Sequence, residues 1–167
     1  WQTVVPNATA ATDDNKIAVA NCPVGTEKPA PIQYQLAKVT DTGAYQTVGG
    51  NARGVDAVDQ QPARAAATQV ASGNNAGILS GRNNTASGQG AVTAGETNVA
   101  SGANSVAIGS SNSATGQESV AFGSGANALG QSSTVGGGSN NYSGLAWDTV
   151  AGGQTNVANA GNAAVCG

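Results

Sequence analysis

The chain of 167 residues has a net charge of −3, with 9% charged residues, 4% aromatic residues and no histidine. Without histidine it offers no His ligand for zinc and no His-based catalytic dyad, and its six cations are a poor footprint for nucleic acid. It has no apolar run long enough to cross a bilayer as a helix. We therefore expect no enzyme, no cofactor or metal, and no contact with nucleic acid or membrane.

Residues 1–62 are expected to form a β-rich N-terminal domain. The predicted strands are 16–22, 32–36 and 45–48, with a hairpin turn at 41–43. We expect this domain to be either a cap over the open end of a sheet or a connector that exchanges a strand with a neighbouring subunit.

Residues 63–167 are expected to form a repeat array. Five of the 25 glycines lie in residues 1–72 and the other twenty follow, among apolar segments that recur every 14 or 15 residues. Glycine at every seventh position excludes helical hairpins, and the period fits one coil of a parallel β-solenoid with two strands and two tight turns. The aligned segments begin at Ile78, Val92, Val106, Val120, Val135 and Val150.

The alternation of side chains along a strand predicts which face is buried. The first and third residues of a segment share a face, as Val106 and Ile108 do. The predicted core is Ile78, Val92, Val106, Ile108, Val120, Phe122, Val135 and Val150. So thin an interior barely offsets the ordering entropy of one chain, and few charges cover the outside, so we expect self-association.

Asparagine recurs three residues after the glycine that closes most segments. Asparagine tolerates left-handed turn geometry, and its amide can hydrogen-bond the equivalent residue of the next coil. The predicted turn ladder is Asn84, Asn98, Asn112, Asn141 and Asn156.

Two pairs of residues depart from the small-residue pattern. Cys22 and Cys166 are candidates for one disulfide, which implies an oxidising compartment, or else they are two unrelated buried thiols. A bond between chains would join the end of one subunit to the start of the next and build a filament. Tyr142 and Trp147 form either an exposed binding anchor or a bulge packed at a subunit interface.

Residues 104–119, NSVAIGSSNSATGQES, and 119–132, SVAFGSGANALGQS, resemble the head repeat of YadA-like trimeric autotransporter adhesins. The resemblance covers residues 78–167. It implies a left-handed parallel β-roll, three of which pack into a homotrimeric head that attaches the bacterial surface to host extracellular matrix or cells. The fifth and sixth coils depart from the repeat, because they have 15 residues and glycine in place of a large side chain.

Tail fibres of some phages resemble the same repeat. The alternative function is therefore a structural subunit of an extracellular filament or phage-type fibre, linked head to tail through the N-terminal region.

Overall fold

The structure, a computed structural model, describes residues 45–46 and 50–167. This part of the chain is all-β and contains no helix. Its parallel strands stack as a β-solenoid of about six turns with a spacing near 14 residues. The fold class predicted from the repeat is confirmed. The strands predicted at 16–22 and 32–36, and the turn at 41–43, lie outside the described residues.

Two parallel sheets form the walls of the solenoid. The nine-stranded sheet consists, in order, of β1 (Tyr45–Gln46), β2 (Val58–Asp59), β3 (Gly77–Arg82), β5 (Val92–Glu96), β7 (Val106–Ser110), β9 (Val120–Ser124), β11 (Thr134–Val135), β13 (Thr149–Val150) and β15 (Ala164–Val165). The six-stranded sheet consists of β4 (Thr85–Ala86), β6 (Val99–Ala100), β8 (Ser113–Ala114), β10 (Asn127–Ala128), β12 (Tyr142–Ser143) and β14 (Val157–Ala158). The first sheet therefore begins on the N-terminal side of the boundary expected at residue 62.

The register of the nine-stranded sheet differs by one residue from the sequence alignment. That alignment equates Val120 with Val135, whereas Val120 pairs with Thr134 and Val135 pairs with Ala121. The same register continues through β7 and β5, and a bulge in β3 absorbs the extra residue. Because side chains alternate along a strand, this shift exchanges the inner and outer faces of three coils.

Alanine lines most of the coil interior. Ala107 and Ala121 on long strands, and Ala100 and Ala114 on short strands, are fully buried. They belong to one continuous apolar cluster that runs the length of the solenoid. Alanine is small enough for the two sheets to pack closely, and the larger Thr93, Val135 and Val150 occupy the same inward column in other coils.

The predicted core residues therefore divide into two groups. Ile78, Val135 and Val150 are fully buried. The prediction that the other five are buried in the coil is wrong, because they lie on the outer face of the long strands, where they are partly exposed. These five are Val92, Val106, Ile108, Val120 and Phe122.

Two columns of glycine allow the coils to stack. A Cβ at Gly102 would overlap the carbonyl oxygen of Gly116, so the close approach of two coils requires glycine there. At Gly109, φ is 126°, and a Cβ would also overlap the Gly123 carbonyl oxygen. The turns before the asparagine column have φ of 59° at Asn83 and 58° at Ser111. The left-handed residue is thus the one preceding each ladder asparagine, rather than the ladder asparagine itself.

Candidate interaction surfaces

The ladder asparagines are stacked and hydrogen-bonded from coil to coil. In the middle of the rod, Asn112 Nδ2 donates to the carbonyl oxygens of Ile108 at 2.9 Å and Gly123 at 2.9 Å. Its own backbone N–H donates to Asn98 Oδ1 at 3.1 Å. Asn84, Asn98, Asn112 and Asn141 are buried, and Asn156 is partly exposed. Each buried amide therefore ties one turn to the next, which makes the rod rigid.

Gln61 begins this ladder, and the sequence pattern gives no indication of it. It is fully buried, and its Oε1 accepts the backbone N–H of Asn84 at 2.8 Å. Its Nε2 donates to the Asn84 carbonyl oxygen at 3.0 Å. The repeat signal misses Gln61 because the first coils have irregular lengths and a different residue type in this column.

Ala126 interrupts the ladder, so an Ala126→Asn substitution is expected to stabilise the protein. The Asn112 Oδ1 atom accepts the Ala126 backbone N–H at 2.8 Å, but alanine has no amide to continue toward Asn141. A new asparagine would supply the bonds that its equivalents make, for a gain of about 1 kcal/mol in the free energy of unfolding. Urea denaturation measures this gain. No gain, or a loss, would show that the 15-residue coil that follows cannot accept the amide.

The outer face of the nine-stranded sheet is apolar over its central strands. Leu79 of β3 is 51% exposed and Phe122 of β9 is 37% exposed. On the same outer face, Val106 and Ile108 of β7 and Val120 of β9 are partly exposed. Ile108 and Phe122 are direct neighbours across the β7–β9 pairing. Exposed apolar side chains grouped on one face of a sheet are typical of an interaction surface. We call these five side chains the outer apolar face.

A buried ion cluster fastens the first described coil. The Asp59 carboxylate is fully buried and pairs with Arg53 at 2.9 Å and Arg64 at 3.2 Å. Burial lowers the pKa of the Arg53 guanidinium, although the Asp59 carboxylate opposes this effect. Because a buried charge is costly without its partner, this cluster holds the segments that carry Arg53, Asp59 and Arg64 in one arrangement. The carboxylate of the cluster is not exposed.

An open groove of about 670 Å³ runs beside the glycine column that contains Gly109. Its bed is formed by the backbone of Gly81, Gly95 and Gly109, and its charged side chains are Arg82 and Glu96. These two bind each other at 2.7 Å. The groove therefore presents mainly backbone, with its two charges already paired.

The turn between β12 and β13 carries large exposed apolar side chains. Leu145 is 48% exposed and Trp147 is 56% exposed, and Leu129 in the preceding turn is 36% exposed. Trp147 has a φ of 58°, in a column where its equivalents are residues such as Asn104 and Ser132. A bulky residue in this region costs about 1–3 kcal/mol of strain. We call Leu129, Leu145 and Trp147 the Trp147 corner.

Tyr142 lies next to this corner. It is partly exposed on the outward side of β12, and its ring occupies the space where a Gly144 side chain would lie. Of the two residues predicted as an anchor, Trp147 is thus the more exposed, and the structure places both within one turn of the rod.

A buried carboxylate lies directly behind Trp147. Asp148 is fully buried, and its oxygens accept the backbone N–H groups of Leu145 at 2.9 Å and Ala163 at 2.9 Å. Burial raises the pKa of the Asp148 carboxyl, but hydrogen bonds from Ala163, Leu145 and further backbone N–H groups outweigh it, so the net pKa is lowered. Asp148 therefore fixes the turn in its ionised form.

The lowered pKa of Asp148 gives the protein an acid-sensitive turn. A carboxyl whose folded pKa lies below its unfolded pKa adds stability above the unfolded value, and this stability is lost as the pH falls through the folded value. We expect Asp148→Asn to be less stable than the parent protein at pH 7 and to lose less stability on acidification. Melting temperatures between about pH 2 and pH 7 measure both effects. Parallel pH curves for the two proteins would contradict this assignment.

The remaining chemistry-bearing groups are few. Cys166 is exposed with a free thiol, and its proposed partner Cys22 lies outside the described residues. Within the part of the chain that the structure describes, no cluster of three or more potential metal ligands occurs. Nor do those residues form a helix that is long and apolar enough to span a membrane.

No protein-family model matches the sequence, and no curated protein is significantly similar to it.

Proposed function

We propose that this chain is the head of a secreted surface adhesin, with no catalytic role. The head is a YadA-like, left-handed β-roll that self-associates as a homotrimer on the bacterial cell surface. It presents a rigid rod that attaches to host extracellular matrix or cells. The 104–132 resemblance supports this proposal at the level of the repeat, and the solenoid of coils near 14 residues is compatible with it.

The observation that carries the proposal is the outer apolar face. A single chain leaves Leu79, Ile108 and Phe122 against water while its interior holds mainly alanine. Covering this face with other copies of the chain removes apolar side chains from water, which stabilises each copy by about 25 cal/mol for every Å² buried. The asparagine ladder supports the same reading, since a rigid rod keeps its surface in a fixed geometry for attachment.

Replacing Ile108 and Phe122 by lysine is expected to dissociate the oligomer. Both side chains lie outside the coil interior, so the solenoid itself remains folded while like charges oppose association. Sedimentation equilibrium of the parent protein should give a particle of three chains, and the double variant should give one chain. The matched control is Asn127→Lys, which places one charge on the outward side of β10 in the other sheet.

Other particle sizes would overturn the trimer. A parent protein that sediments as one chain excludes self-association through this face. Long threads that shorten with reductant would instead favour the filament subunit, with Cys22 and Cys166 linking successive chains.

A further inference from the structure

We propose that the Trp147 corner binds a cationic, extended segment of a partner protein, with arginine or lysine at alternate positions. This inference rests on the proposed function, because it names the chemistry of the surface to which the head would attach. It concerns a different surface from the outer apolar face, since the corner lies in the turns that follow β10 and β12.

The chain holds the indole of Trp147 exposed on a left-handed turn. Trp147 is more than half exposed, and its backbone is held in the left-handed region at a φ of 58°. Four equivalent turns carry Asn104, Glu118, Ser132 and Asn162 at this position, all small or polar. The buried Asp148 carboxylate braces the turn from behind through the Leu145 N–H at 2.9 Å. The bulky indole thus stands in a turn position that its equivalents fill with residues that tolerate this conformation at lower cost.

The charge of residues 83–167 also favours a cationic partner. Residues 83–167 contain no lysine or arginine, and their acidic residues are Glu96, Glu118 and Asp148. Glu96 pairs with Arg82 at 2.7 Å, whereas Glu118 is exposed and its Oε2 accepts the Ser132 hydroxyl at 3.2 Å. Within residues 83–167, Glu118 is therefore the exposed carboxylate that no cation neutralises, and its charge attracts cations and repels anionic ligands.

The Glu118 carboxylate and the Trp147 indole are aligned along the rod. Glu118, Ser132 and Trp147 occupy the same turn position in successive coils, so Glu118 and Trp147 lie about 10 Å apart along the rod. Alternate residues of an extended peptide lie about 7 Å apart on one face, and arginine side chains are long enough to cover the difference. One cation can stack on the indole while the next pairs with the carboxylate.

The two leucines complete this surface. Leu129 and Leu145 flank the indole in adjacent turns and are both partly exposed. The methylene stems of arginine and lysine pack on apolar surface while their charged groups remain in water. The corner thus matches both the apolar and the charged parts of such side chains.

Fluorescence of Trp147 tests this proposal directly. The full chain carrying Trp1→Phe has one remaining indole, which is titrated with an end-blocked octapeptide of alternating arginine and serine. We expect a saturable change in emission that weakens as salt rises from about 50 to about 500 mM. The same octapeptide with glutamate in place of arginine should give no change. No response to the arginine peptide, or an equal response to the glutamate peptide, would overturn the proposal.

Matched variants then assign the two contacts. Glu118→Gln should weaken binding about three- to tenfold at low salt and reduce the salt dependence. Glu96→Gln is the control, because this carboxylate is already paired with Arg82, and it should bind as the parent does. The proposal requires Glu118→Gln to weaken peptide binding more than Glu96→Gln does. Equal losses of affinity in the two variants would contradict it.

The last variant, Trp147→Asn, places in the turn the residue type found at three equivalent positions, Asn75, Asn104 and Asn162. Calorimetry should show peptide affinity reduced about tenfold or more, with a melting temperature no lower than that of the parent. Unchanged affinity would overturn the proposal, because the indole would then not contact the peptide. A smaller particle on sedimentation without any peptide binding would show instead that a second copy covers the corner. A parent chain that is monomeric disproves the proposed trimer but leaves the peptide titration fully readable.

Discussion

Replacing Gly116 by alanine is expected to destabilise the solenoid more than any change on its outer surface. A Cβ at this position would overlap the carbonyl oxygen of Gly130 in the next coil and lie 2.9 Å from the Leu129 oxygen. Both obstacles are backbone atoms, which cannot rotate away. We expect a loss of about 3 kcal/mol in the free energy of unfolding, or a fall of roughly 10 °C in melting temperature. Thermal unfolding followed by circular dichroism measures it.

Gly137→Ala is the matched control for this prediction. A Cβ at Gly137 would have no atom within 4 Å, and its φ lies outside the left-handed region. The same chemical change should therefore be neutral or stabilise by about 0.5 kcal/mol. Both variants are compared at one protein concentration, because association contributes to apparent stability. Equal melting temperatures for the two variants would contradict the stacking argument.

The second large effect is expected for Asn112→Ala. This buried side chain donates to the Ile108 and Gly123 carbonyl oxygens and accepts the Ala126 N–H at 2.8 Å. Alanine would leave three backbone groups of the solenoid without these bonds. Because a buried polar group without a partner costs about 1–3 kcal/mol, we expect an overall loss of about 3 kcal/mol.

Urea denaturation of Asn112→Ala and of Asn159→Ala separates the ladder from asparagine in general. Asn159 is exposed, outside the ladder column, and its removal should change the free energy of unfolding by less than about 0.5 kcal/mol. A loss at Asn112 no greater than that at Asn159 would mean that the ladder does not stabilise the stacked coils.

The fold could be predicted from the sequence because its signal is repetition. Glycine and asparagine return at a fixed interval, and the backbone geometry they require exists in few architectures. The face of each strand could not be predicted as reliably. The assumption that Val106 and Ile108 point inward fails because the strands pair in a register shifted by one residue from the sequence alignment, which places Ala107 in the inward column.

Less could be predicted from the sequence about the candidate surfaces than about the fold. Trp147 is conspicuous in so small-residue a chain, but its left-handed backbone and the buried carboxylate of Asp148 depend on the three-dimensional path of one turn. Gln61 contacts Asn84, which is distant in sequence, from a coil without the regular period. Such contacts leave no pattern in a single sequence.

The gap in the ladder at Ala126 also affects how the rod comes apart. In a solenoid each turn touches only its immediate neighbours, so stability is a chain of nearest-neighbour couplings and opening begins at the weakest one. The bond from Asn112 ends at the Ala126 N–H, and side-chain bonding resumes from Asn141 to Asn156 at 2.9 Å. We therefore expect the coupling between the coils of Ala126 and Asn141 to be weaker than that between the neighbouring regular coils, and amide hydrogen exchange to be faster there.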